Sequence, residues 1–382
     1  DGFDDIVVTS KSKHLYIFDR NGLKMDYDSG TQLIATPSIG NFDLDSELEI
    51  AIAGYSNNQT NLLVINSDGS DVFSTDINIT EKNKSGFAVA DLNNNNIDDI
   101  VFGTDSNNLY LIYDDGTIAE GFPFEAEDKF RLSPLIINYL DERLIVAASE
   151  NQHLYGLDEM GSLIFDISFE YQITTSPSIS SIGNNDYIFI GFDNGDIKCI
   201  DFDGNIINDY SFNISGSVVG SVTFADLDSD SLVEMIASNE LGEIYVFKIN
   251  GEIFQNFPIT YDFPISSALT IFDIDNDTDL EIFGGTTNSL LMFDIKSTGS
   301  SNNHWNIYKG DNKRSSYYNV VCLPGDLDLS QTLDILDIIT LLNVILGIIE
   351  DEEYANCQLD LNADDGIDIF DLLLLIDAIL GQ

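Results

Sequence analysis

Carboxylates recur at fixed spacing along this chain, and the spacing is that of oxygen ligands wrapped around a hard divalent cation. Near the C-terminal end, Asp326, Asp328, Ser330, Thr332, Asp334 and Asp337 fill positions 1, 3, 5, 7, 9 and 12 of a twelve-residue loop. Asp360, Asn362, Asp364, Gly366, Asp368 and Asp371 repeat the set at an offset of 34 residues. A chain curling around an ion turns alternate side chains inward, so positions 1, 3 and 5 present oxygens, position 7 a backbone carbonyl, and position 12 swings in from the first helical turn. Position 6 is Gln331 and Asp365 rather than glycine, and position 12 is Asp rather than the longer Glu. Both departures predict weaker or less rigid calcium sites.

Four more sets hold positions 1, 3, 5 and 9 of a nine-residue loop that runs directly into an apolar strand. They are Asn41, Asp43, Asp45 and Glu49; Asp91, Asn93, Asn95 and Asp99; Asp226, Asp228, Asp230 and Glu234; and Asp273, Asp275, Asp277 and Glu281. Asp1 and Asp5 fit positions 5 and 9 of a fifth. Several carboxylates in one tight turn repel unless a cation neutralises them. Two calcium ions are therefore expected near the C-terminus and about four in the rest of the chain; the alternative for any one loop is a solvated acidic turn.

Both twelve-residue loops feed an apolar stretch ending in Ile-Leu-Gly, which predicts helices over Asp337–Leu346 and Asp371–Leu380. The nine-residue loops belong to a longer repeat. One phrase, an alternating apolar strand closed by a turn, recurs at His14–Gly22, Asn61–Gly69, Asn108–Gly116, His153–Gly161, Asp196–Gly204, Glu243–Gly251 and Ser289–Ser297, with its ends 43 to 47 residues apart. That period is the period of a β-propeller blade. Two blades, around 138–141 and 181–186, have lost the acidic loop. The expected fold is an all-β seven-bladed β-propeller over 1–297, its first blade truncated, a closure segment and linker over 298–321, and a small all-α calcium-binding domain over 322–382. Trp305, the single tryptophan, is expected to pack where the ring closes.

The acidic-loop blades resemble FG-GAP repeats of integrin-like and bacterial surface propellers, and Phe102-Gly103 and Phe283-Gly284 keep that family's Phe-Gly pair. The C-terminal duplication resembles a type I dockerin, an EF-hand-like module that docks into a cohesin domain. That resemblance implies a cohesin-like or other surface scaffold as partner, read by loop positions 10 and 11, here Ile335, Leu336, Ile369 and Phe370. All four are apolar, unlike the Ser/Thr pairs of well-known cellulosomal members, and burial in the core of a small domain is the competing reading.

Cys322 and Cys357 precede the two loops at nearly equivalent places, so a disulfide between the halves is expected; Cys199 lies in an apolar strand and reads as a buried thiol. With 66 acidic and 15 basic residues the formal charge is −51. Nucleic-acid backbones and anionic membrane faces would repel such a surface. Seven filled loops would add +14 and leave −37, so metal alone does not account for the acidity, and a surface adapted to salt is a natural supplement. The longest apolar run, Leu372–Ile376, is broken by Asp377 and is too short to span a bilayer. Three isolated histidines and the absence of nucleophile, zinc or phosphate-loop motifs give no catalytic constellation. One tryptophan argues against a quinone-cofactor propeller, whose docking motifs repeat Trp. The reading is a monomeric, secreted or cell-surface interaction protein, with a propeller for a protein or glycan ligand. The alternative, suggested by a start inside a motif, is the C-terminal accessory part of a secreted hydrolase acting on protein or polysaccharide.

Overall fold

Each of the seven phrases forms a strand, and each of those strands lies in a different antiparallel sheet. Alternation is the cause: Leu15 and Ile17 in His14–Asp19, and Ile244 and Val246 in Glu243–Lys248, are buried while their neighbours are less so. The six glycines that end the first six phrases all have positive φ, from 74° to 128°, which a side-chain-bearing residue adopts only at a cost. The seventh phrase ends in Ser297, and there the strand runs on as Leu290–Thr298.

The computed structural model describes residues 4–320, 324–327, 332–349, 359–362 and 366–380, except 44, 46, 58–61, 73–78, 140, 141 and 184. Asp1, Asp328, Ser330, Asp364, Cys322 and Cys357 lie outside the described residues. Two compact units are present: 1–137 with 143–180 and 187–318, and 319–382 with 138–142 and 181–186.

In the first unit the sheets succeed one another along the chain. The second sheet is Ser38–Gly40, Glu49–Ala53 and Leu62–Ile65; the third is Ala88–Ala90, Asp99–Gly103, Asn108–Ile112 and Phe124–Glu125. The sixth is Val218–Ala225, Glu234–Asn239, Glu243–Lys248 and Ile259–Thr260, and the seventh Thr270–Phe272, Asp279–Gly285 and Leu290–Thr298. In the fourth, Leu135–Tyr139, Glu142–Ala148, His153–Leu157 and Leu163–Ser168, the strand Tyr317–Val320 adds beside Leu135–Tyr139. The fifth runs from Ser178–Ile182 to Ile206–Asn213. The first sheet has three strands, Ile6–Thr9, His14–Asp19 and Gly22–Asp28; its Ile6–Thr9, which follows Asp5, corresponds to the second strand of the others.

Successive sheets bury their faces on each other. Phe42, Ala51 and Ala53 share a core with Phe87, Val89 and Phe102, and Ile236 and Ile244 with Leu269, Ile271 and Ile282. Fully burying side chains of this size stabilises by about 1.5–3 kcal/mol each.

The segment after the last sheet holds the first strands together. Phe224 N–H donates to the Trp305 carbonyl (3.0 Å), Ile271 to Asn306 (2.9 Å), Ile39 to Lys313 (2.8 Å), Val89 to Ser315 (2.8 Å) and Ile136 to Ser316 (2.9 Å). Five sheets are thereby tied to twelve consecutive residues of one segment. Trp305 is 5% exposed, and the Gly310 α-carbon lies so close to it that a Cβ there would come within 2.6 Å of the indole. Lys309, 2% exposed, donates to Ser38 Oγ (2.8 Å) and to the Phe87 carbonyl.

The second unit contains helix α1, Ile335–Ile345, and helix α2, Ile369–Leu380. The helices bury Leu341, Val344, Leu372 and Leu375 with Leu327 and Leu359. Both begin two residues ahead of the expected start. Asp334 caps α1 by accepting from Leu336 N–H (2.6 Å), and this places Asp337 at the third helical position instead of the first. Among the described residues no helix is long and apolar enough to cross a membrane.

Candidate metal centres

The nine-residue loops connect the first and second strands of the second, third, sixth and seventh sheets, and their ninth residues share one geometry. Glu49, Asp99, Glu234 and Glu281 are 0, 0, 0 and 3% exposed. In each loop one oxygen of that carboxylate accepts the N–H of position 2: Phe42 (2.7 Å), Leu92 (2.9 Å), Leu227 (2.7 Å) and Ile274 (2.8 Å). The ninth residue thus closes the loop on itself and fixes a carboxylate at its base.

Three loops also share a backbone curl. Position 1 accepts from position 6 in each, Asp91 from Asn96 (2.7 Å), Asp226 from Ser231 (3.0 Å) and Asp273 from Thr278 (3.1 Å). Positions 4 and 6 take positive φ throughout, at Asn94 and Asn96, Ser229 and Ser231, Asn276 and Thr278. Residues with side chains adopt this conformation at a cost of about 1 kcal/mol or more. Carboxylates gather in three of the four loops: oxygens of Asp43, Asp45 and Glu49 lie within 4.8 Å of one another, as do those of Asp226, Asp228 and Asp230 and those of Asp275, Asp277, Glu281 and the off-ladder Asp279. In the 91–99 loop Asn93 and Asn95 stand at positions 3 and 5, leaving Asp91 and Asp99 as its ladder carboxylates.

Burial raises the cost of ionising three of the ninth-position carboxylates. It pushes Asp99 and Glu234 up to about 7 and raises Glu49. Asp279 is raised to about 6 by its hydrogen bond with Asp277. Several acceptors in the loops are also buried without a hydrogen-bond donor: Asn41 Oδ1, Glu49 Oε1, Asp228 Oδ1, Glu234 Oε1 and Asp279 Oδ1. An orphaned buried acceptor costs about 1–3 kcal/mol. All the donor atoms are oxygens, the set preferred by calcium or magnesium over softer metals.

Lys248, which the carboxylate ladder alone does not reveal, enters one of these loops. Its ammonium lies 2.8 Å from Asp228 Oδ2, 2.9 Å from Asp230 Oδ2 and 3.8 Å from Glu234 Oε1. Hydrogen bonds to Asp228 and Asp230 hold its pKa well above the ordinary lysine value. The sequence signal is position six of the repeated phrase, where Lys248 stands alone among Asp19, Asn66, Tyr113, Asp158, Asp201 and Asp294. Asp98 is a second unanticipated residue: its carboxylate, raised by burial, accepts Asn41 N–H (2.8 Å) and so links two loops.

The C-terminal loops repeat a geometry of their own. Asp337 and Asp371 are completely buried. Asp337 accepts from Leu327 N–H and Asp334 N–H (2.8 Å each), and Asp371 from Leu361 (2.9 Å) and Asp368 (2.8 Å). Position 12 therefore ties each loop to its helix, while Asp334 and Asp368 cap the helices. Asp326 is 2% exposed; Asp360, Asn362, Thr332 and Gly366 occupy their ladder positions nearer the surface. Ile335, Leu336, Ile369 and Phe370 are 67, 54, 51 and 61% exposed, and Ile339, Leu373 and Leu374 are also exposed. Each helix thus carries an apolar stripe apart from the one buried in the core.

His14 pairs with Asp26, and His153 with Asp166, at 2.5 Å, each ring stacked on a tyrosine, Tyr16 or Tyr155. The pairs occupy equivalent places in the first and fourth sheets, as features of a repeat do. Cys199 is fully buried, and burial pushes its thiol up to about 12.

No protein-family model matches the chain, and no curated protein resembles it significantly. Solved structures do. Sqt1 of Saccharomyces cerevisiae aligns with a TM-score of 0.59 at 14% identity, over 76% of this chain and 80% of that one. BBS1N, solved in complex with ARL6DN, aligns at 0.55 and 13% over 77% and 87%, and the computationally designed Ika8 protein at 0.55 and 12% over 78% and 83%. A WD40 β-propeller domain of Doa1 aligns at 0.50 and 11% identity. At these identities the likeness is one of fold: the chain is mostly β and propeller-like.

Proposed function

We propose that this chain is a secreted or cell-surface, non-catalytic calcium-binding interaction protein, built as a seven-bladed FG-GAP-type propeller carrying a dockerin-like tail. The observation that carries the reading is the repeated ninth-position carboxylate, buried, tied by one oxygen to the loop backbone and, in three of the four loops, accompanied by oxygens that lack donors. A cation satisfies those acceptors and offsets the cost of ionising the buried acids. Calcium suits the oxygen-only donor set, and loops with flexible or substituted ladders suit the millimolar calcium of extracellular fluid.

The seven phrase-bearing sheets, five of them tied to residues 305–316, support a ring pinned at its axis. The duplicated loop and helix supports the tail assignment, and the exposed stripe through Ile335, Leu336, Ile369 and Phe370 supports docking of a cohesin-like or other scaffold there. The propeller faces are left for a protein or glycan ligand, and BBS1N, a structural neighbour, was solved with a protein partner.

Capture of proteins from the envelope fraction of the source organism by the full chain, with calcium and with EDTA, tests the reading. A partner retained in calcium, released by EDTA and lost with Ile335→Asp plus Ile369→Asp supports it. Calorimetry showing no bound calcium at millimolar concentration overturns it.

A further inference from the structure

We propose that the Lys248 ammonium is the resident cation of the 226–234 loop, so that this loop, unlike its three counterparts, takes no calcium. The inference rests on the reading of the nine-residue loops as calcium sites and separates one of them from the rest.

Three observations carry it. Glu234 and Lys248 are direct cross-strand partners in the antiparallel ladder, so the lysine rises from the strand beside the base of the loop. Its amine lies within 2.8 to 3.8 Å of position 3, position 5 and position 9 carboxylates, the oxygens a calcium ion would use. A calcium ion held at about 2.3–2.6 Å from those oxygens and an ammonium hydrogen-bonded to them would compete for the same lone pairs and repel each other. For the ion to enter, the lysine must leave two charge-assisted hydrogen bonds and its place 5.8 Å from the Phe254 ring centre.

The other loops lack this arrangement in sequence and in register. Position six of their phrases is Asn66, Tyr113 or Asp294. In the seventh sheet the cross-strand partner of Glu281 is Asp294, which adds a negative charge where the sixth sheet has a positive one. Lys296 pairs there with Asp279 and Asp294, neither of them a ladder position, and its side chain is 71% exposed.

Counting bound calcium on the full chain by isothermal titration and by equilibrium dialysis tests the assignment. Lys248→Met should bind one more calcium than the wild type, with an affinity within about tenfold of the intact loops. Asp228→Asn with Asp230→Asn should bind the same number as the wild type and keeps the test alive if Lys248→Met does not fold. Asp43→Asn with Asp45→Asn, the reference, should bind one fewer. A wild type that loses a calcium through Asp228→Asn with Asp230→Asn, or a folded Lys248→Met that gains none, overturns the proposal. If the reference variant also loses none, the calcium reading of the nine-residue loops fails with it; if it loses one, that reading stands and only the lysine assignment falls.

Discussion

Replacing Lys309 with Met should make the propeller more stable at neutral pH and remove a pH dependence that the wild type carries. The amine is 2% exposed, and burial lowers its pKa from 10.5 to about 7, with Asp311 pulling it up and Arg314 pushing it down. Its partners are a hydroxyl and a carbonyl, with no carboxylate at hydrogen-bond distance. Because the folded-state pKa is below the unfolded one, the group costs nothing above pH 10.5. Its cost grows as pH falls towards 7 and stays constant below. Each pH unit in that window is worth about 1.4 kcal/mol, so the full cost is about 5 kcal/mol and the part regained between pH 7 and 9 about 2 kcal/mol. Thermal melts at pH 6, 7, 8 and 9, in constant excess calcium, should show the wild type rising by about 3 °C from pH 7 to 9 relative to Lys309→Met. Methionine leaves the single Ser38 hydroxyl proton to serve both the Phe87 carbonyl (3.1 Å) and the Arg314 carbonyl (2.9 Å), a pH-independent cost of about 1–3 kcal/mol that is smaller than the gain at pH 7. Arginine, which stays charged, should destabilise at every pH. Identical pH slopes for wild type and Lys309→Met would refute the reasoning and require a charged amine paired with an anion.

Calcium removal should melt the small unit before the propeller, because a domain of about sixty residues has little core and depends on its ions; calorimetry should show two transitions, the lower abolished by EDTA, and a single EDTA-insensitive transition would exclude it. Asp43→Ala with Asp45→Ala should lower propeller stability in calcium by about 2–3 kcal/mol, the linkage expected of a site filled at about one hundred times its dissociation constant; equal melting temperatures would mark that loop as an acidic turn without metal. Ile335→Asp with Ile369→Asp, at exposed positions, should leave the melting curve unchanged yet abolish scaffold capture, and capture by the wild type should survive molar salt, where charges are screened beyond about 3 Å. Trp305→Ala should cost about 3–5 kcal/mol of propeller stability, read by chemical denaturation; a loss below 1 kcal/mol would show that the indole holds nothing together.

Local features of this chain were legible in its sequence because local physics produces them. Alternation made the strands, glycine made the turns, and the recurrence of both at 43 to 47 residues separated seven sheets, each holding one phrase. The carboxylate ladders were visible because a loop that gathers oxygens draws them from residues two apart. The burial of Cys199 followed from its apolar strand. Spacing set the helix starts two residues late, since a capping box at Asp334 and Asp337 decides where the first hydrogen-bonded turn begins.

What spans the chain was decided by the tertiary structure. Ser38 Oγ reaches the Arg314 carbonyl across 276 residues, and no periodicity encodes such a contact. The ninth residue of each nine-residue loop is buried and the fifth exposed, a difference that the even spacing of the ladder does not encode. Lys248 reads in sequence as one more strand residue; only the register Glu234 to Lys248 puts a cation among the carboxylates. The apolar residues at loop positions 10 and 11 fit either core or surface by composition. Helix packing through Leu341, Val344, Leu372 and Leu375 turned them outward, because a two-helix core closes around one stripe of each helix and leaves the other in solvent.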